Sequence, residues 1–186
     1  MSENNKNQQY KPLEDVAKGE DKELGDLIDK QILRFSRDIG KHLSESLEPE
    51  LLLLKGHLLI EYYLGLLLIL NDEKKEILEE TFYKKIQRSK ELNIVGDPYM
   101  ESIFCLNRLR NRMAHELEYT ISESDVDSIS MPFGKEYILK KMDAIEENHS
   151  NSIKKLLRWF FEKNLRKILI STIIKIDKEK KAFKKE

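Results

Sequence analysis

Between Leu51 and Leu70 the chain is almost continuously apolar, and this stretch limits the fold more than any other feature. As a helix it reaches about 30 Å, the thickness of a bilayer core. Two environments suit such a segment: lipid, or the inside of a protein built around it. Lys55, His57 and Glu61 interrupt it, and its longest apolar run, Tyr62 to Leu70, is 9 residues, well short of a span. A charge such as Glu61 near the centre of a span costs roughly 2.5–3.5 kcal/mol or more. The stretch therefore reads as a central core helix, apolar nearly all round because other helices surround it.

Composition supports a helical reading. Gly (7) and Pro (4) are too scarce for many tight turns between strands. The 186 residues suffice for one domain with its own core, without disulfide or metal staples. A single cysteine excludes a disulfide framework and a cysteine-based zinc site, and fits a reducing cytosol. With 33 basic and 34 acidic residues, the chain as a whole is not a basic nucleic-acid coat. Met1 to Gln9 lacks the apolar region of a signal peptide, so a cytoplasmic protein without membrane attachment is expected.

The expected architecture is an all-α bundle of about five or six helices. Residues 1–22 form a polar, disordered tail, and 23–180 form one domain. Helices are predicted over about Asp21–Ser46, Glu50–Leu70, Glu73–Leu92 and Tyr99–Leu117. Pro49 suits the first turn of the second. A short acidic helix capped near Ser122 or Ser124 follows, then a loop at Met131–Gly134. Helix resumes from about Lys135 and breaks around Asn148–Asn151. From Asn151 onward 12 basic residues face 4 acidic ones, a net of 12 − 4 = +8, which leaves −1 − 8 = −9 on the first 150 residues. That basic C-terminal helix is either a solvated amphipathic helix, with Leu156, Leu157, Phe160, Leu165, Ile168, Leu169 and Ile173 inward, or a surface for RNA or another acidic partner. Trp159-Phe160-Phe161 holds at least one ring that a single helix face cannot hide; helix one, a dimer contact or an RNA base are the candidates to cover it.

The fourth helix carries the chemistry. Asn107-Arg108-Leu109-Arg110-Asn111-Arg112-Met113-Ala114-His115 crowds three arginines, two asparagines and a histidine into little more than two turns. Ile103, Leu106, Leu109, Met113 and Leu117 form its apolar stripe. Asn111 and His115 share a face, as do Arg108 and Arg112. Arg110 and His115 stand roughly 140° apart on an ideal helix, so they meet only if the helix bends or a dimer seam brings two chains together. A histidine takes or gives a proton near neutral pH, and a guanidinium stabilises charge growing on phosphate oxygens. RNA brings its own nucleophile, the 2′-hydroxyl. These residues equally suit an exposed basic helix with a histidine that packs or caps.

Arg110-Asn111-Arg112-Met113-Ala114-His115 resembles the Arg-x4-His signature of the HEPN superfamily. Leu54 to Leu64 is similar to the early core helix of its bacterial members, so the resemblance spans about Leu47 to Glu118. It implies a helical bundle that dimerises and, in many members, a metal-independent endoribonuclease serving as a toxin or in antiviral defence. By that resemblance Arg110 and His115 are the catalytic pair and Asn111 supports them. RNA is then the substrate, a neutralising antitoxin a further partner, and no cofactor or metal is needed. Toxin members that a partner nucleotidylates carry a tyrosine two residues after the histidine; Leu117 stands there in this chain, and the nearest tyrosine is Tyr119. The alternative is a non-catalytic module that dimerises and binds protein or nucleic acid.

Glu61, Arg108 and Arg112 are supporting candidates. His57 and Glu61 lie four apart on the apolar helix, as a pair satisfied inside the bundle or with Glu61 facing Arg110 or His115. His42 and His149 read as surface residues, and Cys105 as packing.

Overall fold

The computed structural model describes residues 41, 43, 48–71, 75–144 and 149–183. Among them are six α-helices and no strand: α1 Pro49–Ile69, α2 Phe82–Glu91, α3 Asp97–His115, α4 Glu123–Ser130, α5 Lys135–Ala144 and α6 His149–Phe183. Short 3₁₀ turns occupy Lys75–Leu78 and Met131–Phe133. The fold is an all-α bundle. The polar tail, His42 and nearly all of the helix expected over Asp21–Ser46 lie outside the described residues; Leu43 within it is buried.

α1 starts at Pro49, where a missing N–H costs nothing. It packs chiefly against α6, with α2 and α3 beside it. Leu52, Leu53, Ile60, Leu64, Leu67 and Leu68 are buried along it. The closest approach is at Gly56, where a Cβ would stand 2.4 Å from the Phe161 ring. The expected enclosure of α1 is incomplete, however. Leu51, Leu54, Leu58 and Tyr62, spaced i, i+3, i+7, i+11, are exposed as one stripe.

The helix expected over Glu73–Leu92 is two pieces. Thr81 caps α2, its hydroxyl accepting from the Lys84 N–H at 3.4 Å, so the chain turns there; of Ile77, Leu78, Phe82 and Ile86, at helical spacing in the sequence, only Phe82 and Ile86 are buried. Leu78 lies on the separate 3₁₀ turn and packs toward Gly65. α3 begins two residues earlier than expected because Pro98 fits a first helical turn, and Gly96 enters it with φ 95°, a left-handed backbone suited to glycine. It ends at His115, so Leu117, expected on its apolar stripe, is fully exposed beyond it. α4 carries a full capping box, with Ser122 as the cap and Asp125 answering it.

α5 is described as far as Ala144, and α6 is already helical at residues 149–151, so of the break expected around Asn148–Asn151 only Asn148 lies outside the described residues and the rest is helix; Ser152 Oγ donates to the Ala144 carbonyl at 2.8 Å. The basic C-terminal helix is α6. Leu156, Leu157, Phe160, Leu165, Ile168 and Ile173 are buried on it, and Leu169 is half-buried. Phe160 and Phe161 are both fully buried. Trp159 is half-buried, its ring centre 5.6 Å from that of Phe133 and 5.9 Å from that of Tyr137, and nearly all of helix one, another candidate to cover the aromatic triplet, lies outside the described residues.

Candidate functional site

α3 is held to the bundle by Met100, Ile103, Leu106 and Leu109, all buried. Deeper still, Asn164 of α6 accepts from Ser102 Oγ at 2.9 Å and donates to the Phe160 carbonyl at 2.9 Å. These contacts fix the rotation of α3 about its axis, and that rotation decides which polar residues face water.

Phe104, Arg108, Asn111 and His115 are all exposed. Their spacing of i, i+4, i+7, i+11 puts them within about 60° of one another, along roughly 16 Å of helix. Tyr83 of α2 extends this face, its ring 6.1 Å from Phe104, and both rings line a cavity of about 640 Å³ between α2 and α3. Phe104 was not singled out from the sequence. Its signal was there, since it stands at helical spacing to Arg108, Asn111 and His115 but off the apolar stripe.

Arg110 points elsewhere. It follows Ile103 and Leu106 by seven and four residues, so it lies on the core side of α3, half-buried at the end of the stripe. It donates to the Asn111 Oδ1 at 3.1 Å, which couples it to the exposed face. α3 is one helix from Asp97 to His115, so Arg110 and His115 remain on different sides of it, as the helical arithmetic requires. A single chain therefore does not gather the two onto one face.

Arg112 is anchored. Its guanidinium donates to Asp125 and to the Tyr119 hydroxyl, and lies 4.8 Å from the centre of the Tyr119 ring. Asp125 in turn accepts from the Ser122 backbone at 2.9 Å and its hydroxyl at 2.7 Å. Burial is the largest single influence on the Asp125 carboxyl and raises its pKa, but bonds from Tyr119 and Ser122 and the Arg112 charge outweigh it, and the net shift is downward. Burial and the Asp125 hydrogen bond push the Tyr119 hydroxyl up. Arg112 thus ties the end of α3 to the start of α4.

Glu61 accepts from Lys85 Nζ at 2.9 Å, and Lys85 is buried. The pair joins α1 to α2, rather than Glu61 reaching Arg110 or His115. His57 lies beside it, buried, edge-on to Phe82 with ring centres 4.5 Å apart, and its Nε2 has no hydrogen-bond partner. Burial above all pushes His57 down to about 4; Glu61 opposes this, while Arg110 and Lys85 add to it. Cys105 is half-buried, and burial raises its thiol pKa, as fits packing. Among the described residues no three His, Cys, Asp or Glu side chains stand close enough together to hold a metal ion.

Comparisons with family models, with curated proteins and with solved structures give no match.

Proposed function

We propose that this chain is an endoribonuclease of the HEPN kind, cleaving RNA by internal transesterification in a toxin or defence setting in the cytoplasm. The observation that carries the reading is the exposed ridge of α3, Phe104-Arg108-Asn111-His115, with Arg110 hydrogen-bonded to its Asn111. An aromatic ring offers a sequence-tolerant stacking surface for an unpaired base. Arg108 offers a cation for a phosphate. His115, at the end of α3, is placed to exchange protons with a bound strand.

The chemistry needs no nucleophile from the protein. His115 takes the proton of a 2′-hydroxyl as that oxygen attacks the adjacent phosphorus. The phosphorus–O5′ bond breaks as the 5′-oxygen takes a proton from solvent water and leaves as the alcohol, a 2′,3′-cyclic phosphate remains, and protonated His115 returns its proton to the solvent. Arg110 neutralises the charge that grows on the phosphoryl oxygens in between. Because Arg110 and His115 occupy different sides of α3, the reading requires a two-fold dimer that packs α3 across its axis, Arg110 of one chain meeting His115 of the other.

Purified protein should cut single-stranded RNA in the presence of EDTA and leave cyclic phosphate ends. Intact RNA after prolonged incubation rejects the reading. The same angular separation favours the second reading, a dimerising module without catalysis; such a module would bind RNA or a protein partner and leave RNA uncut.

A further inference from the structure

The exposed face of α3 does not end at Phe104. Glu101 and Asp97, both exposed, continue it toward the start of the helix, so that Asp97, Glu101, Phe104, Arg108, Asn111 and His115 lie within about 80° of one another. The face changes character along its length: two carboxylates, then an aromatic ring, then Arg108, Asn111 and His115. Its acidic end borders the cavity of about 640 Å³ between α2 and α3. Asp97, Glu101 and Phe104 line that cavity from α3, and Tyr83, Gln87 and Lys90 line it from α2. Ile86 and Met100 reach it from the core, where both are buried. The Tyr83 and Phe104 rings are partly open to solvent, and with planes inclined by 51° they are not stacked face to face. Gln87 Nε2 donates to the Tyr83 hydroxyl at 3.0 Å, which steadies that ring at the cavity edge.

We propose that this cavity is a base subsite selective for guanine: Phe104 and Tyr83 stack the base, Glu101 accepts from its Watson–Crick edge and Lys90 donates to its O6. The proposal rests on the reading that RNA lies along α3. Carboxylates repel phosphate, so the part of a strand that enters here is a base, while Arg108, roughly 10 Å further along the helix than Glu101, meets the backbone. Guanine alone among the four bases sets two donors side by side on its Watson–Crick edge, N1–H and the N2 amino group, and one carboxylate accepts both. Adenine sets the acceptor N1 beside its amino group, cytosine sets N3 beside its own, and the N–H of uracil lies between two carbonyl oxygens. Each of these turns a lone pair toward the carboxylate. A lysine ammonium is a partner for the guanine O6. Stacking on an aromatic ring suits any base, so the choice among bases falls to Glu101 and Lys90. The volume is in the range of small-ligand sites, about 300 to 1,000 Å³, which leaves room for a base.

The test measures fluorescence anisotropy with the full chain and four labelled heptanucleotides of 2′-O-methyl RNA, which internal transesterification cannot cut. They are uridine throughout except for guanosine, inosine, adenosine or uridine at the centre. The guanosine probe should bind about fivefold or more tighter than the adenosine probe, the scale on which a bidentate contact discriminates between bases. Inosine, which lacks the N2 amino group, should fall between them. Glu101→Gln should remove the preference, and Phe104→Ala should weaken the guanosine probe by about fivefold or more. Both side chains are exposed, so neither change threatens the fold. The proposal is overturned by equal binding of the four probes, by no binding up to about 1 mM, by a guanosine preference that survives Glu101→Gln, or by unchanged binding in Phe104→Ala. Cleavable RNA separates the subsite from the ribonuclease reading. Cuts with guanosine enriched at one fixed offset, an enrichment lost in Glu101→Gln, support both. Cuts without that enrichment overturn the subsite and leave the ribonuclease standing. Guanosine-selective binding through Glu101, with RNA left whole, overturns the ribonuclease and leaves the subsite standing.

Discussion

His57 shows how a buried side chain ties stability to pH. An unperturbed histidine gains its proton near pH 6.5, whereas native His57 does so only near 4. Between these values the unfolded chain binds the proton and the native chain does not, so stability rises with pH across that window and is lost on acidification. The slope reaches about 1.4 kcal/mol per pH unit and totals about 3 kcal/mol. Denaturant unfolding of wild type and His57→Leu from about pH 7 to pH 4 should show this acid loss in the wild type and a slope smaller by one proton in the variant. Equal slopes mean that native His57 titrates like a free histidine. Arg112 and His115 on α3 should also separate cleanly. Arg112→Ala strips Asp125 and Tyr119 of a shared partner, and should cost about 1–2 kcal/mol. His115→Ala changes an exposed side chain and should stay within about 0.5 kcal/mol. Thermal melts of the two compare them directly; an unchanged Arg112→Ala contradicts its role as a tie between α3 and α4.

Where helices begin and end follows from local chemistry that can be read along the chain. Pro49 and Pro98 open α1 and α3, and Ser122 caps α4. Periodicity likewise gives the inner face of α6. Less legible is what depends on a distant partner. Nothing near Lys85 in sequence marks it as the buried mate of Glu61, twenty-four residues away. Nor does the sequence mark Asp125 as the partner that the fold brings to Arg112, thirteen residues away. The direction of Arg110 was legible from angles alone, because it shares the apolar stripe's side. Gly56 is likewise silent in sequence, yet it sets the spacing of α1 and α6. Gly56→Ala gains helix propensity of about 1 kcal/mol, but it drives a methyl into the Phe161 ring, and overpacking costs about 1–3 kcal/mol. The ring lies in a filled core and cannot swing away freely, so a net loss of stability is expected. Chemical denaturation reads it; a stabilised variant means that α1 and α6 have slack between them.

Among the described residues several large apolar side chains face outward. Leu51, Leu54, Leu58 and Tyr62 stay exposed on α1, and Ile138, Leu139 and Met142 on α5. Surface of this kind marks interaction sites. The ribonuclease reading also requires two chains, since one α3 cannot bring Arg110 and His115 together. Light scattering at micromolar concentration should return about twice the chain mass of 22.0 kDa. A strict monomer that still cleaves RNA contradicts a site shared by Arg110 and His115 across a dimer seam.

The most direct measurement mixes chains. Arg110→Ala and His115→Ala proteins are each incubated with single-stranded RNA in EDTA, beside the wild type and beside a mixture of the two variants that has been unfolded and refolded together. A site shared across the dimer predicts cleavage by the wild type, none by either variant alone, and partial recovery in the mixture, because mixed dimers retain one intact Arg110–His115 combination. Wild-type protein that leaves RNA whole, or single variants that cut as fast as the wild type, contradicts the assignment of this pair.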